Sequence, residues 1–190
     1  TCVFANRLFV HEKIYDEFLD KFIKQVKGIK VGNGLDENVT SGPLIDQYSL
    51  KKVQEHVQDA VNIGSKIAIG GDIHSLGGNF YQPTVLYNVT SKAKITYQET
   101  FGPVAPIYKF SSDEEVIKMA NDTEYGLASY FYSRDIGRIW RVAEELEYGI
   151  VGVNTGLPSK AEIPFGGMKQ SGLGREGSKY GLDDFLEIKY

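Results

Sequence analysis

The sequence predicts an α/β fold, with three αβα layers around a largely parallel sheet. Amphipathic helical stripes alternate with short apolar runs up to residue 153, and this alternation is typical of parallel strands covered by helices. The composition agrees, because 42% of the 190 residues are hydrophobic and 24% are charged, as in ordinary globular domains. We therefore expect one domain over residues 1–190, or at most two small ones.

Four helices and four strands make up the alternation. The apolar positions of the helices recur at helical spacing, and Gly28, Gly64 and Gly149 are available to end three of them. Ser112 followed by Glu115 is the capping-box pattern that opens the third helix. The predicted elements, in chain order, are helix 14–26, helix 50–61, strand 66–69, strand 103–110, helix 112–120, strand 130–132, helix 136–146 and strand 150–153.

The composition also excludes several classes of protein. A net charge of −4 argues against a nucleic-acid partner, because such binding depends on Lys and Arg that neutralise phosphates. No apolar run approaches the roughly 20 residues of a membrane span, so no membrane partner is expected. A single cysteine cannot form an internal disulfide, which predicts a reducing, cytoplasmic location. The first residues include neither an initiator Met nor a signal segment, and we expect a fragment of a longer protein.

The chain becomes glycine-rich from residue 154 to residue 181, which predicts either a flexible connection or a loop whose backbone approaches something closely. Within it, residues 172–177 match the dinucleotide pattern G-x-G-x-x-G. That pattern binds a dinucleotide only after a buried strand and at the start of a helix, with an acidic residue about 20 positions later. A polar loop precedes the match here, so we interpret it as coincidental.

Cys2 and Glu99 are the first candidate functional residues. A lone cysteine is by default a small buried hydrophobe, but a thiolate is also a strong nucleophile toward a carbonyl carbon. Glu99 is by default an exposed loop residue, although a carboxylate can accept hydrogen bonds from both hydroxyls of a ribose, and Phe101 can contact a flat ring. The three histidines have no metal-ligand spacing with Cys2, so we interpret them as surface residues and predict no metal; they are His11, His56 and His74.

Several segments, taken in order, resemble one family. Thr-Cys at residues 1–2, with Asn-Arg close behind, resembles the nucleophile segment of aldehyde dehydrogenases. Glu-Thr-Phe-Gly-Pro at residues 99–103 resembles their cofactor-ribose loop, and Pro-Phe-Gly-Gly at residues 164–167 resembles their C-terminal signature. Gly-Leu-Ala at residues 126–128 and Val-Asn at residues 153–154 also match. Within the family, residues 169–181 and 186–190 resemble succinate-semialdehyde dehydrogenases most.

The resemblance implies a catalytic domain that oxidises an aldehyde to a carboxylate with NAD or NADP, and succinate semialdehyde as substrate. Cys2 would attack the aldehyde to give a thiohemiacetal, then a thioester that water hydrolyses. The cofactor-binding residues implied by the match are Glu99, Phe101 and Lys52, of which Lys52 corresponds to a position near the adenosine. Ser159, which corresponds to a position that holds the distal carboxylate, and Phe165 are implied as substrate-binding residues.

The same resemblance implies what this chain lacks. The family's Rossmann domain, general-base Glu and oxyanion Asn precede the nucleophile, so we expect the isolated chain to be inactive. Family members assemble as homodimers or homotetramers, which is the expectation for the full-length protein. Phe4 stands where some members carry a second, redox-active cysteine, so disulfide regulation of that kind is not expected.

Two alternative functions stay open at this point. The first is an aldehyde dehydrogenase for another substrate, either an uncharged aldehyde or one of betaine or lactaldehyde type. The second is a non-catalytic α/β interaction domain in which Cys2 is inert.

Overall fold

The computed structural model describes residues 2–190, and Thr1, the first residue of the predicted nucleophile segment, lies outside them. The described chain forms two compact units. Unit 1 comprises residues 6–111, and unit 2 comprises residues 2–5 together with residues 112–190. The candidate cofactor residues therefore belong to unit 1, whereas Cys2 and the candidate substrate residues belong to unit 2.

Unit 1 contains a four-stranded mixed sheet. Its strands are β1 (Leu8–His11), β2 (Lys66–Ile69), β3 (Thr84–Tyr87) and β4 (Val104–Phe110), in the spatial order β1-β4-β3-β2. Strand β4 pairs in parallel with β1 and β3, whereas β2 and β3 are antiparallel. Val85, Leu86 and Ile107 are fully buried, so β3 and β4 supply the centre of the core.

The helices of unit 1 are α1 (Tyr15–Val26), α2 (Gln47–Asn62) and the single-turn α3 (Lys94–Tyr97). A 3₁₀ turn, Glu12–Ile14, leads into α1, whose apolar stripe packs on the core of the sheet. Helix α2 begins where the Asp46 side chain accepts a hydrogen bond from the Ser49 backbone N–H at 2.7 Å, which satisfies one of the free donors of the first turn. Four residues of its predicted apolar stripe are buried and Val61 is half-buried; the buried four are Leu50, Val53, Val57 and Ala60.

Unit 2 contains two short sheets and two helices. Strands β6 (Ala128–Phe131) and β7 (Ile150–Val153) pair in parallel, and β5 (Tyr125–Gly126) pairs with β8 (Met168–Lys169) in antiparallel. Helix α4 (Asp113–Asn121) begins at Ser112, whose hydroxyl accepts from the Glu115 N–H at 3.2 Å as the capping pattern predicts. Helix α5 (Ile136–Glu145) begins at Asp135 in the same way, and a 3₁₀ helix spans Lys179–Phe185.

The predicted α/β class is confirmed, but the sheet is mixed rather than largely parallel. The antiparallel pair β2–β3 has no helix between its strands, because the chain reverses between the bridge partners Ile73 and Tyr81, where Gly77 and Gly78 have φ angles of +68° and +58°. In residues 2–190, no helix is both long and apolar enough to cross a membrane.

Candidate active site

Cys2 lies in unit 2 with an exposed, free thiol, rather than buried as the default for a lone cysteine would have it. The next residue is held in place, because the Tyr130 hydroxyl donates a hydrogen bond to the Val3 carbonyl oxygen at 2.9 Å. Burial raises the pKa of Tyr130, and the charge of Cys2 adds to the rise. The Tyr130 hydroxyl therefore keeps its proton and remains a donor.

Gly152 makes room for the Tyr130 ring. The two residues lie opposite each other in the parallel pair of β6 and β7. A Cβ at position 152 would lie only 2.7 Å from Tyr130 Cδ1. The glycine within the apolar strand β7 therefore allows the ring to lie across the sheet and to reach the segment that carries Cys2.

Ser159 and Phe165 line the same cavity within unit 2, which has a volume of about 310 Å³. Ser159 is exposed and Phe165 is half-buried. Most of the wall is apolar, and Lys160 and Glu176 are the charged residues of its lining. A mainly apolar cavity with a few polar groups is typical of a small-molecule site.

The glycine-rich segment 154–181 folds back on itself around this cavity. Phe165 and Glu176 exchange two backbone hydrogen bonds, at 2.8 Å and 2.7 Å, and the Ser178 N–H donates to the Ala161 carbonyl at 2.9 Å. A Cβ at Gly166 would lie 2.5 Å from the Gly174 carbonyl oxygen. The sequence left open whether this segment is a flexible connection or a loop whose backbone approaches something closely. The structure favours the loop, because its backbone approaches itself at Gly166 and Gly174.

The G-x-G-x-x-G match at residues 172–177 lies in this loop. It follows the two-residue strand β8, and Gly172 and Gly174 adopt φ angles of +113° and +81°. The chain then enters the 3₁₀ helix Lys179–Phe185 rather than an α-helix. The match therefore lacks the strand-to-helix geometry of a dinucleotide site.

The three candidate cofactor residues lie in unit 1. Lys52 is half-buried on α2, and Glu99 and Phe101 are exposed in the loop between α3 and β4. Phe101 has a φ angle of +48°, a conformation that a bulky residue adopts only when its surroundings impose it. Thr100, which lies between Glu99 and Phe101, is buried. The loop therefore presents a carboxylate and an aromatic ring outward on either side of a buried anchor.

The prediction that His56 is a surface residue is wrong. Its side chain is 2% exposed, with Nδ1 3.0 Å from Thr100 Oγ1 and Nε2 3.0 Å from Gln98 Oε1. Burial lowers the pKa of His56, so the neutral ring is favoured. A signal was present in the sequence, because position 56 lies between Val53 and Ala60 on the apolar stripe of α2.

The other two histidines make local contacts. His11 and His74 are half-buried, and their Nδ1 atoms accept from the Lys13 N–H at 3.1 Å and the Leu76 N–H at 3.3 Å. Within residues 2–190, no three His, Cys, Asp or Glu side chains gather as a group that could hold a metal ion.

The fold, the exposed cysteine and the cavity lined by the glycine-rich loop define a class of protein. Comparison with known proteins identifies that class. The sequence profile of the aldehyde dehydrogenase family matches residues 1–190, and the chain belongs to that family. It is 55% identical to a 3-sulfolactaldehyde dehydrogenase of Pseudomonas putida and 57% identical to a glutarate-semialdehyde dehydrogenase of Pseudomonas aeruginosa. Both alignments cover 100% of this chain, which spans 39% of the length of each relative.

Solved structures give the same result. The crystal structure of a succinate-semialdehyde dehydrogenase from Burkholderia pseudomallei matches with a TM-score of 0.98 and 56% identity, over 100% of this chain and 39% of that one. A betaine aldehyde dehydrogenase from Staphylococcus aureus, solved in complex with NAD⁺, matches with a TM-score of 0.93 and 39% identity, over 98% of this chain and 38% of that one.

Proposed function

We propose that this chain carries the nucleophile and the substrate loop of a nicotinamide-dependent aldehyde dehydrogenase, with succinate semialdehyde as the substrate. The observation that carries the proposal is that Cys2, Ser159 and Phe165 belong to one compact unit, where the last two line one cavity. The names of the relatives support the substrate class. Sulfolactaldehyde, glutarate semialdehyde and succinate semialdehyde are all short aldehydes that carry an anionic group.

Cys2 supplies the covalent chemistry. Its thiolate sulfur forms a bond to the aldehyde carbon, and the carbonyl oxygen becomes the alkoxide of a thiohemiacetal, to which the backbone N–H at the nucleophile donates. Departure of a hydride from the same carbon converts the thiohemiacetal to a thioester. Water then attacks the thioester and the carbon–sulfur bond breaks. The carboxylate leaves, Cys2 returns to the thiolate, and the two protons of the water pass to the solvent. The exposure of Cys2 gives an aldehyde access to the sulfur.

A nicotinamide cofactor, NAD or NADP, accepts the hydride when it is bound. The residues of unit 1 fit such a group. The exposed Glu99 carboxylate offers two acceptor oxygens to the hydroxyls of a ribose, and the exposed ring of Phe101 offers a surface for a flat ring. Lys52, on α2, would offer a positive charge to the phosphate-bearing adenosine half.

Ser159 and Phe165 select the substrate. The Ser159 hydroxyl donates a hydrogen bond to the distal carboxylate, and Phe165 forms part of the apolar wall along the methylene groups. Lys160 lines the same cavity and adds a positive charge for the anion, which the negative charge of Glu176 in the same lining partly offsets. This arrangement favours a short aldehyde with a terminal anion over an uncharged one.

The test compares substrates on the complete gene product. We expect kcat/KM for succinate semialdehyde to exceed that for an uncharged aldehyde of equal chain length by a hundredfold or more, about 2.7 kcal/mol of discrimination, with NAD or NADP as oxidant. A flat profile would retain aldehyde oxidation and reject the anionic substrate. A matched comparison with glutarate semialdehyde and 3-sulfolactaldehyde determines which anion and chain length fit.

The non-catalytic alternative has its own test. An activated thiol is alkylated well below pH 8.5, whereas an inert cysteine reacts only as it ionises near that pH. We expect iodoacetamide to modify Cys2 in the complete gene product at pH 7 at least tenfold faster than it modifies free N-acetylcysteine. A rate no faster than that of N-acetylcysteine, together with no aldehyde-dependent reduction of NAD or NADP, would favour an interaction domain.

A further inference from the structure

Helix α2 contacts the segment that carries Glu99 and Phe101 at both ends of that segment. Near the start of that segment, Asp59 Oδ2 accepts a hydrogen bond from the Lys94 backbone N–H at 2.7 Å. At its far end, Gly102 packs so closely on α2 that a Cβ there would lie 2.5 Å from Val53 Cγ2.

His56 makes the central contacts of this attachment. It lies between Val53 and Asp59 on one face of α2, since residues three apart share a helix face. Nε2 lies 3.0 Å from Gln98 Oε1, an acceptor, so the neutral ring carries its proton on Nε2 and donates there. Nδ1 then accepts from the Thr100 hydroxyl, also at 3.0 Å.

The two partners of His56 flank Glu99 in the chain. Thr100 is drawn into the interior, where it is 4% exposed, and this leaves Glu99 and Phe101 on the outside. Burial of the imidazole makes both hydrogen bonds costly to lose, because an unsatisfied buried polar atom has no water to replace its partner. The register of the loop on α2 is therefore fixed by His56 at the residues on either side of the candidate ribose ligand.

We propose that His56 is a positioning residue of the cofactor site, which holds the loop at Gln98 and Thr100 so that the Glu99 carboxylate stands ready for the ribose of a nicotinamide nucleotide. The inference rests on the proposed function and extends it to a buried side chain that does not itself contact the nucleotide. Lys52 lies one turn before His56 on the same helix, so the contacts of His56 also fix the position of the loop relative to Lys52.

The experiment measures cofactor binding directly. The dissociation constant of NADH or NADPH is determined by fluorescence titration of the complete gene product, beside its melting temperature. His56→Leu removes both hydrogen bonds and keeps an apolar side chain, and we expect it to weaken binding about tenfold, which corresponds to the loss of two neutral hydrogen bonds. His56→Gln, whose amide can still donate to Gln98, is expected to recover part of that loss.

Thr100→Val is a milder second variant, which tests the same contact if His56→Leu fails to fold. It removes a single hydroxyl from a buried position of the same shape, and we expect it to weaken binding about threefold. Val57→Ala is the matched control, because Val57 is buried on the same helix and makes neither hydrogen bond. It should lower the melting temperature and leave the dissociation constant unchanged.

Glu99→Gln separates this inference from the proposed function. Weaker cofactor binding by Glu99→Gln, His56→Leu and Thr100→Val, with Val57→Ala unchanged, supports both. If Glu99→Gln weakens binding but neither His56→Leu nor Thr100→Val does, the positioning role of His56 is wrong. The assignment of the loop to the cofactor site is then retained. If Glu99→Gln itself has no effect, the cofactor assignment of the loop is wrong. If Val57→Ala weakens binding as much as His56→Leu at equal loss of stability, His56 is only structural.

Discussion

The Tyr130 hydroxyl lies 2.9 Å from the Val3 carbonyl oxygen and so joins strand β6 to the residue that follows the candidate nucleophile. The two residues are 127 positions apart in the chain. The contact depends on Gly152, whose missing side chain leaves space for the Tyr130 ring. The location of Cys2 is therefore coupled to the packing of β6 against β7.

Tyr130→Phe tests this coupling. The substitution removes one neutral hydrogen bond, worth about 0.5–1.5 kcal/mol, and keeps the ring that packs on Gly152. We expect kcat/KM for the aldehyde to fall roughly threefold to tenfold with cofactor affinity unchanged, in steady-state assays of the complete gene product. Tyr132→Phe is the control, because Tyr132 is 71% exposed, and it should have no effect. Equal kcat/KM in the Tyr130→Phe variant and the parent would show that the contact does not position Cys2.

Ser159→Ala tests the substrate loop. If the Ser159 hydroxyl donates to the distal carboxylate, its removal loses a hydrogen bond to a charged group, about 1.5–3 kcal/mol. We expect KM to rise roughly tenfold or more for succinate semialdehyde and to stay constant for an uncharged aldehyde of the same length. The uncharged aldehyde serves as the internal control. An equal rise in KM for both substrates would remove Ser159 from carboxylate recognition.

Gly149→Ala tests the tight packing that frames the cavity. A Cβ at position 149 would overlap the Gly166 carbonyl oxygen, and backbone atoms cannot move aside as a flexible side chain does. We expect the free energy of unfolding, measured in urea, to fall by about 1–3 kcal/mol. Gly156→Ala is the matched control, since its nearest neighbour would be Tyr132 Oη at 3.7 Å, an ordinary contact. Equal unfolding midpoints for Gly149→Ala and the parent would contradict the packing at this site.

The buried imidazole of His56 predicts a pH dependence of stability. Burial lowers its pKa from the usual 6.5; Lys52 and Lys94 add to the decrease, and Asp59 and the hydrogen bond to Gln98 oppose it. Between pH 6.5 and the lowered value, the unfolded chain binds more protons than the folded one, so the free energy of unfolding decreases as the pH falls. Above pH 6.5 the imidazole is neutral in both the folded and the unfolded chain, so His56 no longer makes the free energy of unfolding depend on pH. Urea unfolding of the parent and of His56→Leu between pH 5 and pH 8 measures it, and parallel curves for the two proteins would contradict it.

Local patterns were sufficient to predict several elements. The apolar stripes of α1 and α2, the strand at Lys66–Ile69 and the Ser112 cap of α4 all depend on side chains within a few residues of one another. Strand β1 was not predicted, because its four residues pair with β4, where Leu8 lies opposite Ile107. Strand β1 also lacks a local turn signal such as the two glycines that follow Lys66–Ile69, so it is defined by a partner far along the chain.

In the candidate site too, local motifs could be predicted from the sequence and long-range contacts could not. Cys2, Glu99, Phe101, Ser159 and Phe165 stand in motifs that can be read directly, and they remain proposals as functional residues. His56 was misjudged because the absence of metal-ligand spacing does not indicate a surface residue, whereas its position on the apolar stripe of α2 indicates burial. Its partners Gln98 and Thr100 are 42 and 44 positions away in the chain, so no local pattern indicates them. Spatial contacts of this kind arise only from the packing of α2 on the loop.

Replacement of Cys2 by alanine tests the central claim most directly. In the complete gene product, Cys2→Ala is predicted to reduce aldehyde-dependent formation of NADH or NADPH by about a thousandfold or more, because no thiohemiacetal or thioester can form. Its melting temperature and its affinity for NADH or NADPH should equal those of the parent, since Cys2 is exposed. Turnover by the Cys2→Ala variant within tenfold of the parent would contradict the assignment of Cys2 as the nucleophile.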